Sequence, residues 1–182
     1  MLFCKQISIT QFRNYEAKSF NFSKKIIGIY GSNGCGKTNL LDAIYYLCFT
    51  RSYFSFAENQ NIQQGKDGLR LQGSFTNRDE TIDITAIVRE TGKKEFSFNE
   101  NAYLKLSEHI GIMPCVIIAP DDIAIISGGS EIRRKFIDTI LSQLNARYLQ
   151  ELIAYNKILQ QRNSYLKAAA EKNYSEIGRA HV

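Results

Sequence analysis

Gly31-Ser32-Asn33-Gly34-Cys35-Gly36-Lys37-Thr38 decides the fold of this chain. The stretch matches G-x-x-x-x-G-K-[ST] without a mismatch, which is the pattern of a phosphate-binding loop. Its flanks fit that reading. Ile26-Ile27-Gly28-Ile29-Tyr30 leads in as a short apolar run and predicts a strand buried on both faces. Leu40, Leu41, Ile44, Tyr45, Leu47 and Cys48 follow at helical spacing and predict a helix that buries one broad face. In such a unit Gly31, Gly34 and Gly36 let the backbone curl, so that the N–H groups of the loop, Ser32, Asn33 and Cys35 included, point at phosphate oxygens. Lys37 sends an ammonium to the β- and γ-phosphates, and the Thr38 hydroxyl suits Mg²⁺. The helix that starts here adds its positive N-terminal dipole. ATP and Mg²⁺ are the expected cofactors. Cys35 reads either as an oxidisable thiol at a helix N-terminus or as a small filler at a variable position.

Upstream of the loop, Phe3 to Ile9 alternates apolar and polar, and Phe20-Asn21-Phe22 repeats the pattern after a polar break at Arg13-Asn14-Tyr15-Glu16. Downstream, residues 50 to 68 read as a polar surface loop. Leu69, Leu71, Gly73 and Phe75, then Ile82, Ile84, Ala86 and Val88, then Phe96 and Phe98 alternate with polar residues, as an antiparallel meander with one solvated face would. Met113 to Ile118 predicts another buried strand, ended by Pro120. Ile132, Phe136, Ile137, Ile140, Leu141 and Leu144 then form a helical stripe with Ser130 placed to cap it, and Leu149 opens a second long helix running toward Lys172. The last six residues, 177 to 182, break the pattern and read as a non-native tail.

The whole chain has 182 residues, 44% of them apolar and 23% charged, which is globular composition for one domain or one domain and the start of another. No apolar run approaches the roughly 18 residues of a spanning helix, and Met1 to Phe12 lacks the make-up of a signal peptide. Cys4, Cys35, Cys48 and Cys115 fall at no metal or redox spacing, so reduced thiols in a cytoplasmic protein are expected. The net charge is +5; residues 131 to 172 hold eight basic and four acidic side chains, a local balance of +4. Such a segment is either a solvated helix face or a surface for a polyanion.

With these motifs in place the chain resembles the RecF family of bacterial recombination mediators, whose ATPase head is of the ABC and SMC type. The resemblance runs from Met1 to about Lys172. It rests on Gln11-Phe12-Arg13-Asn14-Tyr15, on the phosphate loop continuing as Asn39-Leu40-Leu41-Asp42-Ala43-Ile44-Tyr45, and on Arg51-Ser52. Ala119-Pro120-Asp121-Asp122-Ile123, Gly129 to Asp138, and Tyr148-Leu149 through Tyr155-Asn156 to Gln161-Arg162-Asn163 extend it. It implies an α/β fold: a mixed sheet around the phosphate-loop helix, an antiparallel β subdomain and the start of a helical lobe. An ATP-binding lobe over 1–120 and a helical lobe over 121–176 are the expected divisions. It implies an ATP-dependent protein of DNA repair, replication and the SOS response that binds gapped or single-stranded DNA without reading sequence. Recombination-mediator partners and an ATP-dependent homodimer of the full-length protein are implied as well. By the same resemblance Arg13 lies near the nucleotide; read from the residues alone it is a solvated turn residue.

The family's Walker B Asp-Glu, signature and switch histidine are missing, so the chain reads as an N-terminal fragment expected to bind ATP without hydrolysing it. Asp121 and Asp122 admit three readings: Mg²⁺ ligands after a Cys115–Ile118 Walker B strand, a sensor in the loop that connects the lobes, or a plain turn with Asp121 capping a helix. The first belongs to the alternative function, a self-contained phosphate-loop kinase or hydrolase. Arg133 and Arg134 are the candidate DNA contacts, against a bland reading as a solvated face with Arg134 paired to Asp138 at i,i+4.

Overall fold

The computed structural model describes residues 2–55, 57–78 and 80–171. Strands β1 (Leu2–Phe12) and β2 (Tyr15–Asn21) form a hairpin, and α1 (Lys37–Phe49) follows the phosphate loop. Then come β3 (Gly68–Asn77), β4 (Glu80–Arg89), β5 (Lys94–Phe98) and the short β6 (Asn101–Ala102). Helices α2 (Ala124–Ser127), α3 (Ser130–Leu144) and α4 (Ala146–Glu171) complete the described chain.

The strands make one six-stranded sheet in the order β2-β1-β3-β4-β5-β6, antiparallel at every pairing. The period-two pattern places its faces. Ile7, Ile9, Leu71, Ile84, Ala86 and Phe96 are buried on the side that receives α1, while Ser8, Gln72, Thr85 and Ser97 stand in register across the other side. Helix α1 is covered nearly all round, which is why its sequence is apolar beyond a single stripe: Leu40, Ala43, Tyr46 and Leu47 are each at most 2% exposed.

His109 fastens the end of α1 from below. It is fully buried, with Nε2 2.6 Å from the Leu47 carbonyl oxygen and Nδ1 3.1 Å from the Tyr103 hydroxyl. A carbonyl only accepts, so Nε2 carries the proton and Nδ1 accepts from Tyr103. Burial pushes the imidazole pKa down, and the bond to Leu47 offsets this only in part. The folded state therefore holds His109 neutral while the unfolded chain takes up a proton below pH about 6.5. Stability should be full above that value and fall as pH drops toward the lowered folded pKa. Melting curves between pH 7.5 and 5 check this: His109→Gln should flatten the acid-side decline, and an identical decline in both proteins would remove His109 as its source.

Several expectations need correction. Ile26–Tyr30 has no strand partner among the described residues; Ile26 is 91% and Tyr30 95% exposed. Met113–Ile118 likewise has no strand partner among the described residues. Its alternate residues Met113, Cys115 and Ile117 pack on the core, while Val116 and Ile118 are exposed. Both segments have strand composition, but a strand forms only where a neighbour takes its N–H and C=O groups, and these are the two segments that would have made the sheet mixed. The stretch 50–68 is less of a surface loop than its polarity implies, since it contains a 3-10 turn at Glu58–Asn61 and buries Ser52, Asn61 and Ile62. Gly129, not Ser130, is the N-cap of α3, and no side chain caps that helix. The apolar stripe of α3 is only partly covered, with Phe136 and Ile137 exposed. Asp138 accepts a hydrogen bond from the Tyr148 hydroxyl on α4 rather than pairing with Arg134, whose Nε meets the Ser130 carbonyl. The tail 177–182 lies outside the described residues.

Candidate nucleotide-phosphate site

The phosphate loop turns into α1 at Gly36. Gly34 and Gly36 have φ of +81° and +100°, the left-handed region that glycine enters without a Cβ clash. At Gly36 the need is also spatial, because a Cβ there would lie 2.8 Å from Asn14 Nδ2 and 2.9 Å from Tyr15 Cζ. No side chain caps the helix, and its first turn holds no acidic residue. The N–H groups of that turn, together with the dipole, form a cradle suited to an anion. Lys37 Nζ donates to the carbonyls of Gly31 and Ser32, both at 2.8 Å, and so spans the mouth of the loop. Thr38 is exposed at the rim, as are Ser32, Asn33 and Cys35. These groups fit a nucleotide polyphosphate. Thr38 would contribute one hydroxyl to Mg²⁺, the other ligands being phosphate oxygens and water.

The hairpin turn between β1 and β2 clamps this loop from outside, which the sequence reading did not assign. Asn14 Nδ2 donates to the Gly34 carbonyl at 3.3 Å, and the Tyr15 hydroxyl donates to the Gly36 carbonyl at 3.1 Å. With those carbonyls held on the outer side, the loop's N–H groups are left for the inner side. Asn39, in the first turn of α1, donates back to Asn14 Oδ1 at 2.7 Å. The only signal in the sequence was position: all three residues lie in stretches that carry the family resemblance.

Arg13 occupies the same turn with φ +52°, an uncommon conformation for a non-glycine residue. It is not a solvated turn residue: its side chain is 17% exposed and Nη2 lies 2.6 Å from Asp42 Oδ2. Nη2 also donates to Ser52 Oγ at 2.8 Å, and Nη1 donates to Asn39 Oδ1 at 3.1 Å. Nη2 and Nε share Asn61 Oδ1 at 3.2 and 3.4 Å.

Of the other candidates, Asp122 is joined to this cluster through Tyr53, whose N–H donates to Asp42 Oδ1 at 2.7 Å. Asp122 Oδ2 accepts from the Ala119 N–H at 2.6 Å, and its Oδ1 accepts from the Tyr53 hydroxyl. Burial first, and then the Asp122 carboxylate, push the Tyr53 pKa up, so the phenol keeps its proton and keeps donating. Both oxygens of Asp122 thus act as a cap and a tie. Asp121 is exposed in the same 3-10 turn, Pro120–Ile123. Arg133 and Arg134 are exposed on the first turns of α3, where Arg133 Nη1 donates to the Gly128 carbonyl at 2.7 Å. A cleft of about 1080 Å³ lies between the end of α1 and the α3–α4 pair, lined in part by Arg51, Arg134 and Lys135.

The model of the AAA domain family matches residues 6–177. The DNA replication and repair protein RecF of Bacteroides fragilis is 43% identical over 165 residues, covering 90% of this chain and 45% of that protein. RecF of Flavobacterium johnsoniae is 42% identical over 162 residues, 89% of this chain and 45% of its own length. The chain therefore spans about half the length of the curated relatives it matches. A solved structure of the recombination mediator protein RecF with ATP, in the RecFOR pathway, superposes with a TM-score of 0.86 at 30% identity, covering 99% of this chain and 47% of that one. An SMC ATPase superposes with a TM-score of 0.63 at 22% identity, covering 76% of this chain and 99% of that one, and shares the fold.

Proposed function

Because the chain belongs to the AAA domain family, we propose that it binds Mg·ATP at residues 31–38 and serves as the nucleotide-binding part of a RecF-like DNA-binding head. The observation that carries this is the uncapped N-terminus of α1, with Lys37 across the loop mouth and Asn14 and Tyr15 holding the Gly34 and Gly36 carbonyls outward. The loop N–H groups and Lys37 bind the β- and γ-phosphates, Thr38 helps to hold Mg²⁺, and Arg13 lies behind them as a further cation. Residues 1–120 act as the ATP-binding lobe, and those from 121 onward begin the helical lobe.

The whole protein works in recombinational repair and replication restart, within the SOS response, in the cytoplasm. It acts as an ATP-dependent homodimer with recombination-mediator partners, and hydrolysis belongs to that assembly. The alternative, a self-contained kinase or hydrolase with Asp121 or Asp122 on Mg²⁺, is disfavoured at Asp122, because Ala119 and Tyr53 already take both its carboxylate oxygens, and is left to the exposed Asp121.

DNA binding runs through the start of α3. Neutralising Arg133 and Arg134 to Gln should weaken binding to single-stranded and gapped DNA alike, whatever the sequence. The slope of log affinity against log salt should become shallower by about one unit for each phosphate that is no longer neutralised. Fluorescence anisotropy over a salt series, with and without Mg·ATP, makes the measurement. An unchanged slope would move the DNA surface off α3.

A further inference from the structure

Asp42 sits in the second turn of α1 with no exposed surface. Its Oδ2 lies 2.6 Å from Arg13 Nη2 and accepts from the Ser52 hydroxyl at 2.7 Å, while its Oδ1 accepts from the Tyr53 N–H at 2.7 Å. A buried ion pair contributes little net stability, because desolvation of both charges offsets their attraction. What such a pair fixes is geometry. The guanidinium it holds is nearly saturated: Nε and Nη2 are committed to Asn61, Ser52 and Asp42, and one N–H of Nη1 goes to Asn39. Of the five guanidinium hydrogens, the second on Nη1 has no acceptor among the described residues. That N–H belongs to a side chain still 17% open, hydrogen-bonded to the first turn of the helix whose N-terminus forms the phosphate cradle.

We propose that Asp42 is a positioning residue for nucleotide binding: it locks Arg13 from behind so that the remaining Nη1 hydrogen is presented to a phosphate oxygen held at the N-terminus of α1. The inference rests on the phosphate-loop reading and adds to it a residue that never meets the nucleotide. Ser52 is the second half of the lock, since its hydroxyl accepts from Arg13 while donating to Asp42. A free arginine on a left-handed turn would sample many rotamers, and each lost rotamer would count against binding.

The test is a double-mutant cycle on Mg·ATP affinity, with melting temperatures measured alongside. Asp42→Asn keeps the shape and an acceptor for Tyr53 but removes the charge facing Arg13. Asp42→Asn and Arg13→Ala should each weaken Mg·ATP binding about ten-fold, and the double variant should bind no worse than Arg13→Ala alone. A purely structural role lowers the melting temperature and leaves the affinity of the folded fraction unchanged. Wild-type affinity in Asp42→Asn, or the same loss whether or not Arg13 is present, would overturn the proposal. Should neither single variant fold, Ser52→Ala decides, because it keeps both charges: binding weaker by about three-fold supports the lock, and wild-type affinity refutes it. Lys37→Ala is the control that separates the two claims. Equal binding by wild type and Lys37→Ala would show that the loop is not the site at all, a failure visible without any change at Asp42.

Discussion

Lys37→Ala should weaken Mg·ATP binding by roughly ten- to a hundred-fold. The ammonium is positioned by two carbonyls of its own loop, Gly31 and Ser32, and not by a carboxylate that would have to release it. Its charge is therefore available to phosphate at little cost. A hydrogen bond to a charged group is worth about 1.5–3 kcal/mol, and each 1.4 kcal/mol is about a factor of ten in affinity. Calorimetric titration of both proteins with Mg·ATP gives the ratio directly. The fold should not suffer, because the loop is exposed from Gly31 to Cys35 and Lys37 supports none of the core. Equal dissociation constants would mean that phosphate binds elsewhere.

The largest effect on stability is expected at Tyr46. This side chain has no exposed surface and sits between Phe12, at 6.2 Å edge-on, and Phe96, stacked at 5.9 Å. Its hydroxyl donates to Glu58 Oε2 at 2.6 Å, and Lys94 Nζ lies 5.5 Å from its ring centre. Tyr46→Ala leaves a cavity where α1 meets both the sheet and the 3-10 turn at Glu58, and should cost about 3–5 kcal/mol. That is a large part of the roughly 5–15 kcal/mol of a whole domain. Tyr46→Phe keeps the ring and loses only the hydroxyl. Glu58 still has Lys94, so the loss should be about 1–2 kcal/mol. Urea unfolding should show the midpoint falling in that order at constant slope. A midpoint unmoved by Tyr46→Ala would show that α1 is not the centre of the cooperative unit.

The two unpaired apolar segments show where pattern reading met its limit. Ile26–Tyr30 and Met113–Ile118 have the composition of buried strands, and the second even buries alternate side chains as a strand does. Composition reports that a segment can pair; it does not supply the neighbour. A ladder needs a second backbone at hydrogen-bonding distance, and no described residue provides one. The stripe on α3 behaves the same way. Its spacing foretold the helix correctly, but how far Phe136 and Ile137 are covered depends on what lies against them.

Whatever is written in short-range pattern could be read from the chain before it folds. The phosphate loop is legible because left-handed glycines, a lysine and a helix start must follow one another within eight residues. The meander is legible because period two survives in β3, β4 and β5, and the helices after Gly129 because period 3.6 survives there. The roles of Arg13, Asp42 and Asn61 emerge only from long-range packing. Arg13 meets Asn61 across 48 positions and Ser52 across 39, and no local periodicity encodes such a meeting. Asp42 reads as an ordinary polar residue on a helix until Arg13 of the β1–β2 turn and Ser52 and Tyr53 after α1 close over it and remove its water. A charge taken out of water must be answered by another charge and by hydrogen bonds, and that requirement arises only once the chain has folded.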